Sequence, residues 1–419
     1  MTDKIAFVYV DWEGNTFFVG RLFARNRKGR ESSSFEYDSS WLTNPSRFAL
    51  EPALTLHPAP FHTGQGRALF GSIGDSAPDR WGRTLMRRTH QRLAKTKGEN
   101  PHTLQEIDFL LNVDDECRQG ALRFSEKLEG AFLAQPVNGK RVPLLIDLPR
   151  LLVATTHAIK EEENDEEMRL LLAPGSSLGG ARPKASVRSK EGELLIAKFP
   201  HPEDNIDLPA WESLALTLAS KAGLRVTRHK LLKIAGRSVI LLNRFDRIGV
   251  KRIPFISAMS LLEAGDNDPH SYLEVADALR RYSGNPQQDL IELWKRIVFS
   301  ILVSNTDDHL RNHGLLLPNS DGWRLSPAYD INPTPLDIKP RRLSLAIDEE
   351  DDCASLELAL SVSDRFGLSK ESAKRIANEA GIAVAGWREQ AKLLGMKDRE
   401  ADRMSSAFEH NDLRLALTL

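Results

Sequence analysis

The stretch Ser304-Asn305-Thr306-Asp307-Asp308-His309-Leu310-Arg311-Asn312, together with an aspartate some twenty positions after it, constrains this chain more than any other feature. Asp307 and Asn312 are separated by four residues, and the further aspartate, Asp330, stands in Ser326-Pro327-Ala328-Tyr329-Asp330. Between them residues 313–317 are strand-like, 318–322 are turn residues, and 323–325 are strand-like again. A hairpin there folds Asp330 back beside Asn312. An amide and a carboxylate brought together from two segments suit a divalent ion on nucleotide phosphates, and a second carboxylate is left to face a hydroxyl.

Asp, Asn and His also cap helix ends and turns, so the Asp307 to Asn312 spacing alone does not decide. His309 and His313, four apart, could share a helix face and bind zinc. That requires a helix through Asn312-His313-Gly314, where the sequence signals a stop, and no Glu follows His309. Protein kinases use the same three parts in the same chain order: a proton-accepting aspartate, an asparagine five residues on, and a later metal-binding aspartate.

Upstream segments supply the other parts of a nucleotide site. GSSLGGARPK (175–184) is glycine-rich, and glycine lets successive backbone N–H groups approach phosphate oxygens closely. It fails as a Walker A loop, because Ala181 stands where a lysine should follow the second glycine, and it lacks G-x-G-x-x-G. A plain loop is the rival reading. Shortly after it, Lys198 ends the apolar run LLIAKFP (194–200), as a phosphate-pairing lysine does, though an edge lysine with its head in water fits too. Glu212, on the following helix, is its candidate partner or else a surface glutamate. LLNRFDR (241–247) lies where a kinase hinge offers backbone N–H and C=O groups to adenine.

The chain changes texture near Asp246. Before it, strand-like runs cover 5–10, 17–23, 194–199, 230–234 and 238–243, with one clear helix from Trp211 that Gly223 ends. After it, nearly everything outside the hairpin is helical. An apolar stripe over 290–305 delivers Asp307 at its end, Ser369 caps a helix that Gly381 closes, and Val384, Trp387, Ala391 and Leu394 line another. EEENDEE (161–167) reads as a mobile, solvated segment. The basic run 80–97 is a solvated helix face or a nucleic-acid contact, and lacks the aromatic interleaving of the latter. With 57 basic and 58 acidic residues among 419, nothing global draws the chain to nucleic acid or membrane. Two cysteines without CxxC suit a reducing cytoplasm, and the N-terminal strands are not those of a signal peptide.

Taken together, GSIGDSAPDRWGR (71–83), GALRF (120–124), SSLGGARPKA (176–185), AKFP (197–200), LLNRFDR, NTDDHLRN (305–312) and SPAYDINP (326–333) resemble the HipA family of bacterial toxin serine/threonine kinases, in family order. The resemblance implies an α+β, bilobal kinase-like fold. An N-terminal β-rich subdomain (1–125) would precede a mixed small lobe with phosphate loop and hinge (126–246) and a helical large lobe (247–419). It implies ATP- and Mg2+-dependent phosphorylation of a protein serine or threonine. Asp307 matches the proton acceptor, with His309 beside it and also contacting nucleotide. Asn312 and Asp330 match the metal ligands, and Lys198 the phosphate-contacting lysine. Gly179, Gly180, Ala181, Arg182 and Lys184 match the phosphate loop, and Asn243, Phe245 and Asp246 the hinge; Tyr329 completes the ATP set. Ser177, with Ser176 as rival, matches a serine autophosphorylated to switch the enzyme off. The implied partners are a small helix-turn-helix antitoxin, operator DNA through it, and a translation protein such as an aminoacyl-tRNA synthetase as substrate. A small-molecule or lipid kinase and an idle DNA-binding co-regulator are the alternatives. Residues 252–259 depart from the best-known branch, and Tyr329-Asp330-Ile331 lacks the glycine of D-F-G.

Overall fold

Alternating apolar and polar residues begin the chain as a meander. The structure, a computed structural model, describes residues 3–132, 142–175, 180, 182–266 and 268–419. β1 (Lys4–Trp12) and β2 (Asn15–Arg27) meet in a two-residue turn whose residues, Glu13 and Gly14, both take positive φ, as the strand twist requires. β3 (Arg30–Tyr37), β4 (Phe61–His62) and β5 (Leu122–Ser125) complete an antiparallel sheet of order β4-β3-β2-β1-β5. Val8, Val10, Leu22 and Phe35 share one core with Trp41 of α1 (Ser39–Leu42) and Ile73 of α2 (Gly71–Gly74). Beyond α3 (Arg80–Lys97), α4 (Glu106–Leu111) adds Ile107 and Leu110 to that core.

α3 is the basic run, and three of its arginines are paired within the molecule. Trp81, Leu85 and Met86 are buried, while Arg83 pairs with Glu106, Arg88 with Glu161, and Arg92 with Glu163 and Asp165. The acidic stretch 161–167, expected to be mobile and solvated, is mostly exposed as expected, but it is anchored on α3. Glu163 is buried, and Asp165 opens α6 (Asp165–Gly175), which follows α5 (Leu148–Lys160).

A second antiparallel sheet, of order β6-β7-β9-β8, holds β6 (Lys184–Arg188), β7 (Leu194–Lys198), β8 (His229–Ile234) and β9 (Arg237–Asn243). Alternation along β9 divides its side chains between two cores. Val239 and Leu241 join Trp81, Leu85 and the apolar residues of α5. Ile240 and Leu242 face the other way, to Trp211 and Leu214 of α7 (Leu208–Lys221) and the large core of the C-terminal half.

That large core is mostly helical. It follows the short strands β10 (Arg247–Ile248), β11 (Lys251–Arg252) and β12 (Phe255–Ser257). Its leading helices are α8 (Ala258–Leu261), α9 (Tyr272–Tyr282) and α10 (Pro286–Leu302). The expected hairpin forms from β13 (Gly314–Leu316) and β14 (Arg324–Leu325), and β12 pairs along β13 as a third strand that no local sequence signal announces. α10 begins earlier than expected and stops at Leu302, so Asp307 lies in a loop beyond it, entered through Ser304 at φ 50°. α11 (Leu356–Ser361), α12 (Lys370–Ala385), α13 (Trp387–Leu393), α14 (Asp398–Met404) and α15 (Asn411–Ala416) finish the chain. Gly381 does not close its helix: α12 runs through it, and Val384 belongs to α12 rather than to α13. The reason is contact. A Cβ on Gly381 would sit 2.8 Å from that of Ala416, so the glycine admits α15 against α12.

Candidate nucleotide site

Lys198 ends β7 opposite Lys184 of β6 and Ile240 of β9, so its position is fixed by two neighbouring strands. Its Nζ donates to Glu212 Oε1 at 2.6 Å and to Asp330 Oδ1 at 2.8 Å. Glu212 comes from α7 and is buried. Burial opposes the charge on Lys198, but Asp330 and Glu212 outweigh it and raise the lysine's pKa above its ordinary value. Burial likewise opposes the Asp330 carboxylate, yet Lys198 and then Lys184 hold it well below the usual range. For Glu212 burial prevails, and its pKa is raised. Asp330 sits at φ 56°, a left-handed backbone that costs a non-glycine residue about 1 kcal/mol.

The segment around Asp330 is held by the surrounding chain. Ala328 N–H donates to Arg225 C=O at 2.7 Å, Asn332 N–H to Asn305 Oδ1 at 3.0 Å, and Thr334 N–H to Ser304 C=O at 3.0 Å. The Tyr329 hydroxyl donates to Arg311 C=O at 2.6 Å, which brings the Asp330 segment against the residue before Asn312. Asn332 Nδ2 also donates to Asp330 Oδ1 at 3.1 Å.

Asp307 and Asp308, neighbours in sequence, have opposite surroundings. Asp307 is exposed, and its carboxylate has no hydrogen-bond partner among the described residues. Asp308 is buried, accepting from Tyr272 Oη at 2.6 Å and Ser300 Oγ at 3.3 Å with His313 Nε2 at 3.2 Å. Despite burial its pKa is lowered, because His313, Tyr272 and Arg296 favour the ionised form. Asn312 is buried and donates from Nδ2 to Asp307 C=O at 3.0 Å, while its N–H donates to His309 C=O at 2.8 Å. His309 Nδ1 is buried without a partner among the described residues. Lys339 Nζ and Ser344 Oγ both donate to Thr306 C=O, at 3.0 Å each, bracing the loop from the far side.

At the segment joining the two halves, Phe245 lies 5.3 Å from Tyr329 between ring centres and 6.3 Å from Phe255. The expected adenine contact through the Asn243 backbone meets a competitor. Asn243 N–H already donates to Arg228 C=O at 2.8 Å, and its C=O accepts from Thr227 Oγ1 at 2.7 Å, because β9 is still a paired strand there. The Asp246 carboxylate is also committed. It accepts from Gly120 N–H at 2.8 Å and from Arg244 and Arg247, which keep it strongly ionised against burial, so the buried carboxylate is engaged within the protein.

Of the phosphate-loop residues, Gly179 and Ala181 lie outside the described residues, as do Ser176 and Ser177. Gly180 is exposed at φ 106°. Arg182 pairs with Asp204 at 2.8 Å, and Lys184 is buried with Nζ 2.7 Å from Asp79. Asp308, Asn332 and Asp79 were not assigned from sequence. All three lie inside quoted motifs; the spacing of Asp308 and Asn332 to Asp307 and Asp330 is a usable signal, whereas Asp79 meets Lys184 only across 105 positions.

Two family models match the chain: the HipA-like C-terminal domain over residues 176–387 and the HipA N-terminal domain over residues 14–125. A Sinorhizobium fredii protein named "Putative kinase Y4mE" is 23% identical over 446 aligned residues, covering 98% of this chain and 93% of its own length. A second Sinorhizobium fredii protein, "Putative kinase Y4dM", is 24% identical, with 58% of this chain and 60% of its own length covered. Among solved structures, the Shewanella oneidensis HipA in a complex of HipA, HipB and operator DNA superposes with a TM-score of 0.64 at 15% identity, over 99% of this chain and 96% of that one. That likeness shows a shared α+β fold.

Proposed function

Because the chain belongs to the HipA family, we propose that it is an ATP-dependent kinase that phosphorylates a serine or threonine on a protein and acts as the toxin of a toxin–antitoxin pair. The observation that carries the reading is Lys198 bonded at once to Glu212 and Asp330, with Asn312 and Asp307 on the adjoining loop. Lys198 presents a fixed positive charge to the ATP phosphates, and Glu212 keeps it from swinging away. Asp307, exposed and unpartnered among the described residues, accepts the proton of the attacking hydroxyl. The new bond joins that oxygen to the terminal phosphorus, and the bond to the bridging oxygen of ADP breaks. Asn312 and Asp330 would hold Mg2+. Amide and carboxylate oxygens are hard donors that suit it, and donation from Asn312 Nδ2 to Asp307 leaves Oδ1 without a partner among the described residues. Held there, the ion would supply positive charge against the transferring phosphoryl group. His309 and Tyr329 flank this site, Gly179 to Arg182 contact the phosphates, and in the joining segment the Phe245 ring is the nucleotide contact, since the Asn243 backbone, the Asp246 carboxylate and Lys184 are already paired within the protein.

The finer reading is also a proposal. The substrate is a protein of translation such as an aminoacyl-tRNA synthetase, and autophosphorylation at Ser177 adds roughly −1.5 to −2 charges to the phosphate loop and switches the enzyme off. The partner is a small helix-turn-helix antitoxin bound to operator DNA, in the cytoplasm. The division into residues 1–125, 126–246 and 247–419 is the working domain scheme. Among the described residues no helix is long and apolar enough to cross a membrane. Incubation with γ-labelled ATP, Mg2+ and a cell lysate tests the reading. Label on a protein band with the parent chain and none with Asp307→Asn supports it. Label confined to lipid or small metabolites would replace it with a small-molecule kinase.

A further inference from the structure

The motif GSIGDSAPDRWGR (71–83) has no part in the chemistry above, yet it spans the cleft. Asp75, at the end of α2, accepts from Ser257 N–H at 2.7 Å and Ser257 Oγ at 2.9 Å. Ser257 is the last residue of β12 and lies opposite Gly314, two positions beyond Asn312. Asp79, four residues after Asp75, caps α3 through Gly82 N–H at 2.7 Å and accepts from Lys184 Nζ at 2.7 Å. Lys184 lies opposite Lys198, and its C=O accepts from Trp81 Nε1 at 3.1 Å. The Asp79 and Lys184 side chains are 5% and 3% exposed, so this pair is shielded from solvent screening. One end of the motif thus grips the strand beside the Asn312 loop, and the other grips the strand beside Lys198.

Close packing backs the first grip. A Cβ on Gly71 would lie 2.7 Å from that of Ser260, so α2 rests directly on α8. Ser76 C=O accepts from Arg118 Nη1 at 2.9 Å, which ties the middle of the motif to the N-terminal sheet unit. Four residues reach at most about 14 Å when fully extended. The Cα atoms of Asp75 and Asp79 cannot part beyond that, so the two strands cannot separate beyond this span plus the reach of the two side-chain contacts without breaking one of them.

We infer that Asp75 and Asp79 are positioning residues, and that the segment between them is a strap setting the separation of the Lys198 strand and the Asn312 loop. The N-terminal unit is then a working part of the nucleotide cleft. The catalytic consequence rests on the kinase reading above, whereas the strap itself does not. The chain with Cys353→Ser is spin-labelled at Lys190→Cys, between β6 and β7 of the sheet that carries Lys198, and at Lys370→Cys, which opens α12 in the helical half, both exposed, and the inter-label distance distribution is recorded. Asp79→Ser keeps a good helix cap but removes the ion pair, and Asp75→Asn keeps the shape. Glu163→Gln is the control, a buried α3 partner that does not bridge the cleft. Both strap variants are expected to broaden the distribution and to weaken MgATP binding or phosphate transfer by about 10²-fold, with unfolding midpoints no lower than the control's. Unchanged distributions in both strap variants would overturn the strap. Failure of the parent chain to bind MgATP would sink the kinase reading, and the distance measurement would still decide the strap.

Discussion

At the scale of single residues, two adjacent aspartates show how surroundings assign roles. Asp307 is exposed and free of partners among the described residues, so Asp307→Asn should change stability by less than about 0.5 kcal/mol. Phosphotransfer should fall about 10²–10⁴-fold with MgATP binding kept, as read by calorimetry beside a label-transfer assay. Asp308→Ala should do the reverse at the level of folding. It strands the Tyr272 and Ser300 hydroxyls in the interior and removes the carboxylate beside His313, at a cost on the order of 3 kcal/mol seen in urea unfolding. Lys198→Ala leaves Glu212 buried beside an unpaired Asp330, and MgATP binding should be largely lost. Equal affinity of Lys198→Ala and the parent would remove Lys198 from the site.

At the scale of elements, helix ends carry the testable chemistry. His410 caps α15: its Nδ1 accepts from Leu413 N–H at 3.4 Å, and its Nε2 lies 3.2 Å from Leu302 C=O. That arrangement requires the neutral ring. Burial, and then the charge on Arg341, push its pKa from 6.5 down to about 4. Between those values the unfolded chain binds the extra proton. Stability from this group is therefore complete above pH 6.5 and is lost as pH falls towards 4, by up to about 3 kcal/mol. His410→Asn keeps a capping side chain without the titration, so its unfolding free energy should fall less steeply over that window. Parallel pH profiles for the two proteins would remove this assignment. α12 teaches a related point, since Gly381 reads as a stop until α15 is seen to need the space of its missing Cβ.

At the scale of the whole molecule, the N-terminal sheet is bolted to the segment joining the two halves. Asp246 is shared by Arg244, Arg247 and Gly120 N–H, and Arg244 also donates to the C=O groups of Cys117 and Arg118. Asp246→Ala should cost about 3–5 kcal/mol by leaving two buried guanidinium groups short of their counter-charge. Unfolding at the two sheets should then separate when followed by site-specific fluorescence, and an unchanged single transition would contradict this coupling. The strands, the main helices, the Asp307 to Asn312 spacing and the hairpin to Asp330 were legible because each depends on periodicity or turn chemistry within a few residues. Lys198, Glu212 and Asp330 could be picked out singly, but their meeting joins positions up to 132 apart. The order of these parts and their local geometry are thus written in the chain. Long-range packing settled the rest: Asp308 is interior while Asp307 faces out, the Asn243 N–H is already paired, the acidic stretch docks on α3, and Asp79 holds Lys184. Those choices depend on which apolar faces are buried together, and no local window of residues contains that information.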